Sequence, residues 1–288
     1  MSKHGADQAA TTPGQVSLPT SALNDGTAIP QLGFGVFKVP PEDTENVVAS
    51  ALQAGYRHID TAQMYGNEAG VGLAIRHSSI PRDEIYVTTK LNNDKHGYDT
   101  ARYAFEGSLQ RLKLAYIDLF LIHWPMPVHN DYVETWTALE SVKADGLSTS
   151  IGVSNFQPAH LTRLLAETAT VPAVNQIELH PNYQQAELRA LHAEHNIATE
   201  AWSPLARGAL LDDEAVTGLA QEYGKTSAQI ILRWHIQLGN VVIPKSVTPD
   251  RMAANLLVFD FELTDEDMAT INGLETGIRI GPHPNDMN

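Results

Sequence analysis

From Gly33 onward, short apolar runs alternate with longer stretches in which apolar residues recur at helical spacing. The runs Phe34–Phe37, His58–Asp60, Tyr86–Lys90, Leu119–His123, Thr149–Val153, Val174–Leu179, Ala198–Trp202 and Val241–Pro244 are too short for helices and are bounded by polar loops, so they predict strands. Between them, Thr44–Ala54, Thr100–Leu112, Tyr132–Ala144, Gln157–Ala166, Gln185–Glu194 and Ser227–Gln237 predict amphipathic helices. In the first of these, Val47, Val48, Ala51 and Leu52 lie on one face, which packs inward. A recurring strand, loop and helix means parallel β/α structure.

About eight such strands follow one another without a linker or a shift in composition, which favours a single (β/α)8 TIM barrel of the α/β class over an open sheet. An open dinucleotide-binding sheet needs glycine at three fixed places after its first strand. Gly33-Phe34-Gly35-Val36-Phe37-Lys38 supplies two and carries Lys38 at the third. Upstream, Val16–Leu23 and Ile29–Leu32 flank Asn24-Asp25-Gly26, a turn signal that predicts a β-hairpin capping one end of the barrel. Residues 1–15 show neither periodicity and are expected to be a flexible tail, leaving 16–288 as the barrel domain.

Composition narrows the function classes. A net charge of −15 repels phosphate backbones, so no nucleic-acid partner is expected, although a local cation cluster can still hold one phosphorylated small ligand. With no cysteine, disulfides, thiolate nucleophiles and cysteine metal sites are out of consideration. The first residues lack an apolar signal core and no stretch approaches the roughly 20 apolar residues of a spanning helix, so a cytoplasmic protein without a membrane partner is expected.

In a barrel, the C-terminal ends of the strands converge on one mouth. Asp60, Lys90 and His123 each end an apolar run, and Tyr65 follows Asp60 on the adjoining loop. Taken singly, each admits a structural role. Taken together, Asp60 is the natural partner for a buried Lys90 ammonium, and that charge is expected to lower the Tyr65 pKa from about 10, making the phenol a usable acid. His123 can hydrogen-bond a substrate oxygen and share its developing charge. An acid plus an oxygen-binding donor, with no nucleophile, suits hydride addition to a carbonyl from a nicotinamide cofactor.

These residues resemble the aldo-keto reductase superfamily, most nearly its bacterial 2,5-diketo-D-gluconate and methylglyoxal reductase branch. The likeness runs from about Val16 to the C-terminus through Gly33-Phe34-Gly35, His58-Ile59-Asp60-Thr61-Ala62, Tyr65-Gly66-Asn67-Glu68, Thr89-Lys90, Ile122-His123-Trp124-Pro125, Gly152-Val153-Ser154-Asn155-Phe156, Asn175-Gln176 and Ile243-Pro244-Lys245-Ser246. It implies an NADPH-dependent reductase of aldehydes, ketones or small dicarbonyls, working as a monomer, with Tyr65 as proton donor, His123 orienting the carbonyl, and Lys90 and Asp60 supporting the tyrosine.

The resemblance also implies the cofactor contacts. Ser154, Asn155 and Gln176 match the nicotinamide-carboxamide partners, Trp202 the stacking aromatic, and Ser203 and Leu205 positions beside the pyrophosphate. Gly35 and Val36 fall on the cofactor side of the mouth. Lys245, Ser246, Val247, Arg251 and Asn255 form the phosphate cluster, where Arg251 would clamp the ribose 2′-phosphate of NADPH/NADP+. Two positions depart from relatives: Ala254 stands where an acidic residue often contacts the adenosine, and Asn92 where tryptophan commonly lines the pocket. Phe37, Asn92 and Trp124, with Val36 beside them, are the candidate substrate-pocket residues. The tail Gly277–Asn288 is short and rich in glycine and proline, which argues against large substrates such as steroids.

Two other readings compete. A metal-dependent barrel hydrolase draws on Gln176, Glu178 and His180, which alternate on one strand face, although no His-x-His pair accompanies them and no metal is expected. A cofactor-sensing subunit on the same fold would bind NADPH without turnover.

Overall fold

The computed structural model describes residues 18–287. The expected tail, residues 1–15, and the first residues of the expected hairpin, Val16 and Ser17, lie outside them. The hairpin itself forms from β1 (Thr20–Ala22) and β2 (Ala28–Pro30), antiparallel across a turn in which Gly26 holds φ +86°.

The barrel then follows in order: β3 (Phe34–Gly35), α1 (Pro41–Ala54), β4 (His58–Asp60), α2 (Glu68–His77), β5 (Tyr86–Leu91), α3 (Tyr98–Leu112), β6 (Ile117–Ile122), α4 (Tyr132–Ala144), β7 (Ser148–Ser154), α5 (Pro158–Glu167), β8 (Val174–Glu178), α6 (Ala186–Glu194), β9 (Ala198–Trp202), α7 (Glu214–Tyr223), α8 (Ser227–Gln237), β10 (Val241–Val242), α9 (Pro249–Leu256) and α10 (Asp265–Asn272). Helix starts follow local chemistry. At α8, the Thr226 hydroxyl accepts from the Gln229 N–H at 3.2 Å while the Gln229 amide accepts from the Thr226 N–H at 2.9 Å.

Strands β3 to β10 lie side by side in chain order, all parallel. The sheet closes on itself through a Leu32–Val242 bridge, with the Gly33 N–H donating to the Val242 carbonyl at 2.8 Å and the Gly35 N–H to Pro244 at 3.1 Å. The (β/α)8 barrel expected from the strand count is therefore the observed fold. Its first and last strands are shorter than the apolar runs. Lys38 turns the chain at φ +61°, and Pro244 has no N–H for the ladder.

Alternation along the strands makes two cores. Val87, Phe120, Ile122, Val153 and Ile177 face outward against the helices. Leu119, Leu121, Val174 and Val241 face inward and pack with Leu23 and Ile29 of the hairpin, which thereby plugs the N-terminal end of the barrel. Continuing the same alternation toward the other end places Lys90, His123, Gln176 and Glu200 inside. An apolar floor supports a polar mouth.

Helix α2, which carries two glycines, starts at Glu68, where Gly66-Asn67-Glu68 reads as a turn and helix start without bounds from periodicity. Gly72 is there because the α2 and α3 backbones touch: a Cβ at this position would lie 2.1 Å from the Leu112 carbonyl oxygen. Alanine gains about 1 kcal/mol of helix propensity over glycine, but relieving a backbone clash requires the whole helix to shift, at about 1–3 kcal/mol. The second effect is larger, so Gly72→Ala is expected to lower the urea midpoint. An unchanged midpoint would show that α2 moves freely.

Candidate active site

Lys90 is fully buried at the end of β5 and donates to both carboxylate oxygens of Asp60, at 2.7 and 2.8 Å, and to the Thr61 carbonyl at 2.9 Å. The Tyr65 hydroxyl lies 3.5 Å from the same nitrogen. Burial works against the ammonium, but the Asp60 carboxylate outweighs it and raises the lysine pKa, keeping the charge in place.

The turn after β4 aims Tyr65. Gln63 ties that turn to α3 by donating to the Ala104 carbonyl at 2.9 Å and to the Ser108 hydroxyl at 2.8 Å. Asn67 accepts from the Thr61 hydroxyl and donates to the Val36 and Val39 carbonyls, and Glu68 accepts from Thr89 and Arg111. Gly66-Asn67-Glu68 thus contributes position. The expected lowering of the Tyr65 pKa is corrected here: burial dominates and raises it, with Lys90 opposing. The phenol keeps its proton at neutral pH, as a donor must.

His123 follows β6 at 7% exposure, its ring 5.8 Å from that of Tyr65 in an edge-on arrangement. Burial and then the Lys90 charge push its pKa well below the ordinary range, so the imidazole is neutral. Its Nδ1 has no hydrogen-bond partner among the described residues.

Beneath these groups, Gln176 Nε2 donates to Asp60 at 2.8 Å and to Glu200 at 2.9 Å. Both amide protons are used, so Oε1 is the group left to meet a ligand. Two carboxylates face one lysine. Burial and the Asp60 charge push the Glu200 pKa up to about 8, so Glu200 holds the proton and Asp60 the charge that pairs with Lys90. His58, 3.7 Å from Glu200, is held neutral by burial, its pKa near 3.

Asp60, Tyr65, His123, Trp124, Phe37 and Gly35 share the wall of one cavity of about 570 Å³ with Ser154, Asn155, Gln176, Trp202, Ser203 and Leu205. Lys245 and Arg251 line it as well. The amide-bearing wall is rigid: Trp202 Nε1 donates to Asn155 Oδ1 at 2.8 Å, and Asn155 Nδ2 donates to the His123 carbonyl at 3.0 Å. Other expected residues do not face this space. Val36 is fully buried, Asn255 is buried beside Tyr56, and the Ser246 hydroxyl caps the following turn through the Thr248 N–H at 3.1 Å. Val247 is 53% exposed outside the cavity wall. Asn92 uses its side chain to accept from the Asn93 N–H at 3.0 Å, which turns it away from the mouth.

The sequence profile described as "Aldo/keto reductase family" matches residues 30–276. The chain belongs to the aldo/keto reductase family. An aldo-keto reductase of Mycolicibacterium smegmatis is 57% identical over 270 residues, covering 94% of this chain and 98% of the relative. A methylglyoxal reductase DkgA of Yersinia pestis is 51% identical over 269 residues, covering 92% and 96%. Among solved structures, a mutant of Gox0644 in complex with NADPH superposes with a TM-score of 0.91 at 46% identity, covering 95% of this chain and all (100%) of that one.

Several residues at the mouth of this aldo/keto reductase were not singled out from its sequence. Lys38 and Arg207 add cations, each in a left-handed backbone conformation, with φ +61° and +54°. Met64, Leu211, Pro282 and Met287 add apolar wall. The signal for Lys38, Met64 and Arg207 was their place just past a strand end. Pro282 and Met287 offered none. Glu178 and His180, the alternative metal ligands, are engaged with each other at 3.2 Å, Glu178 also accepts from the C-terminal segment, and no metal-sized group of His, Asp and Glu occurs among the described residues.

Proposed function

We propose that this chain reduces aldehydes, ketones or small dicarbonyls to alcohols with NADPH, using Tyr65 as the proton donor. As an aldo/keto reductase it is an NADP-dependent oxidoreductase, and the residues of the cavity fit that cofactor. A hydroxyl, two amides and an indole line the cavity together with cations that include Lys245 and Arg251, a set that suits a carboxamide, an aromatic ring and phosphates. Ser154, Asn155 and Gln176 would hold the carboxamide, Trp202 the ring, and Lys245 and Arg251 the 2′-phosphate. When bound, the cofactor supplies the hydride.

The chain's own residues do the rest. Neutral His123 orients the carbonyl oxygen by hydrogen bonding, and Tyr65 gives that oxygen its proton. Lys90, held charged by Asp60, lies 3.5 Å from the phenol oxygen and stabilises the negative charge left there. That buried Lys90–Tyr65 contact at the floor of the cavity is the observation that carries the reading.

The DkgA relative favours methylglyoxal and related dicarbonyls as substrates. Following NADPH oxidation against methylglyoxal, phenylglyoxal, diacetyl, simple aldehydes and keto-sugars tests this. Tight NADPH binding with no turnover on any of them would overturn it in favour of a cofactor sensor. Arg251→Ala is expected to weaken NADPH by about tenfold to a hundredfold, the worth of one charge-assisted contact, and to leave NADH nearly unchanged. Equal losses for both cofactors would remove Arg251 from the 2′-phosphate. No helix among the described residues is long and apolar enough to cross a membrane.

A further inference from the structure

The Glu178 side chain is fully buried, yet neither the proton transfer nor the cofactor contacts use it. Its carboxylate is instead shared among donors from two parts of the chain. Oε1 accepts from the Ile280 N–H at 2.5 Å and faces His180 Nε2 at 3.2 Å. Oε2 accepts from the Gly281 N–H at 3.0 Å and from Arg279 at 3.3 Å. Arg279 is fixed in turn by Tyr183, whose ring lies 4.7 Å below the guanidinium and whose hydroxyl accepts from Nη2 at 2.9 Å. Burial alone would raise the Glu178 pKa, but these bonds outweigh it and lower it, so the carboxylate is charged.

What the clamp holds lies against Trp202. Glu178 and Trp202 are register partners on β8 and β9, and Gly281 comes so near that a Cβ would stand 2.4 Å from the indole Cη2 and 2.8 Å from Glu178 Oε2. Only glycine permits this approach. Immediately beyond it, Pro282 and Met287 line the cavity.

We infer that Glu178 is a positioning residue: it pins the C-terminal segment across the barrel mouth, so that Gly281 braces the Trp202 indole and Pro282 and Met287 form the substrate-facing wall. The inference rests on the reading of this cavity as the site of carbonyl reduction. Residues 277–287 form no helix or strand, so the carboxylate supplies order that the segment's own backbone hydrogen bonds do not. Because both oxygens accept from N–H groups, an amide in either flip would set its NH2 against at least one of them. Glu178→Gln is therefore disruptive although isosteric.

The test compares the full-length enzyme with Glu178→Gln and with a truncation after Gly277, which removes the clamped segment without touching the barrel. In Glu178→Gln without cofactor, amide exchange at Ile280 and Gly281 is expected to rise ~10–100-fold, the effect of losing charge-assisted hydrogen bonds. With NADPH saturating, KM for a small dicarbonyl is expected to rise about tenfold in both variants while kcat changes far less, since Tyr65, Lys90 and His123 are untouched. Unchanged exchange at both amides in a folded Glu178→Gln protein would overturn the clamp. Faster exchange, or outright truncation, with an unchanged KM would overturn its positioning role. If Glu178→Gln fails to fold, the truncation alone decides by its KM. The exchange measurement needs no turnover, so failure of the clamp and failure of the reductase reading remain distinguishable.

Discussion

Tyr65→Phe is expected to lower kcat for carbonyl reduction by about 10²–10⁴-fold, the usual worth of a positioned general acid, and to leave NADPH affinity essentially unchanged. The substitution removes one hydroxyl and keeps the ring that contacts Phe37, at 5.1 Å, and His123, at 5.8 Å. Lys90 is not orphaned, because it still donates to Asp60 and to the Thr61 carbonyl. Stability should therefore shift by less than about 1 kcal/mol. Stopped-flow turnover beside an NADPH titration separates the two effects. A near-normal kcat would place the proton elsewhere. The pH profile gives a second check with a definite sign. Reduction needs the protonated phenol, and burial raises its pKa, so activity should be lost only as pH rises above the ordinary tyrosine range. A tyrosine-dependent fall already complete at neutral pH would contradict the assignment.

Lys90→Met is expected to lose both turnover and stability, because the proposed proton transfer and the buried ion pair both use this lysine. It leaves Asp60, 2% exposed, with Gln176 as its remaining hydrogen-bond partner and Glu200 close by, and breaking a buried pair in this way costs about 3–5 kcal/mol. Burial already holds the folded-state pKa of Asp60 above its unfolded value with Lys90 opposing, and loss of the cation raises it further. The native state then binds a proton more readily than the unfolded chain does, so the deficit should grow with rising pH and shrink as pH falls. Urea denaturation at several pH values reads this directly. Adding Asp60→Asn removes the stranded charge and should recover most of the stability while leaving turnover about 10²–10⁴-fold down. Recovery of activity together with stability would mean that the ammonium has no part in the chemistry.

The pairing of Asp60 with Lys90 was legible from the chain because each ends a short apolar run, and the barrel brings strand ends to one rim. Glu200 was not. It lies inside the run Ala198–Trp202 with no local mark, and its raised proton affinity comes first from burial and then from the Asp60 charge on another strand, with the Gln176 amide opposing. Asn92 shows the converse. The resemblance placed it on the pocket wall, where relatives commonly carry tryptophan, whereas its side chain satisfies the backbone of the next turn. The direction of the Tyr65 shift was misjudged for a related reason: a neighbouring charge can be inferred from strand ends, but the degree of burial cannot.

Alternation with period 2 and apolar stripes with period 3.6 record which side of each element is buried, and that was enough to determine the barrel, its hairpin cap and the set of groups at its rim. Only the tertiary structure decided how those groups share protons, which of the expected cofactor residues face the cavity, and that a glycine- and proline-rich tail returns to Glu178 and Trp202. The physical reason is range. Periodicity is set by each residue's own backbone, whereas hydrogen bonds and desolvation depend on distances of a few ångströms between segments far apart in the chain, fixed by the packing of the whole.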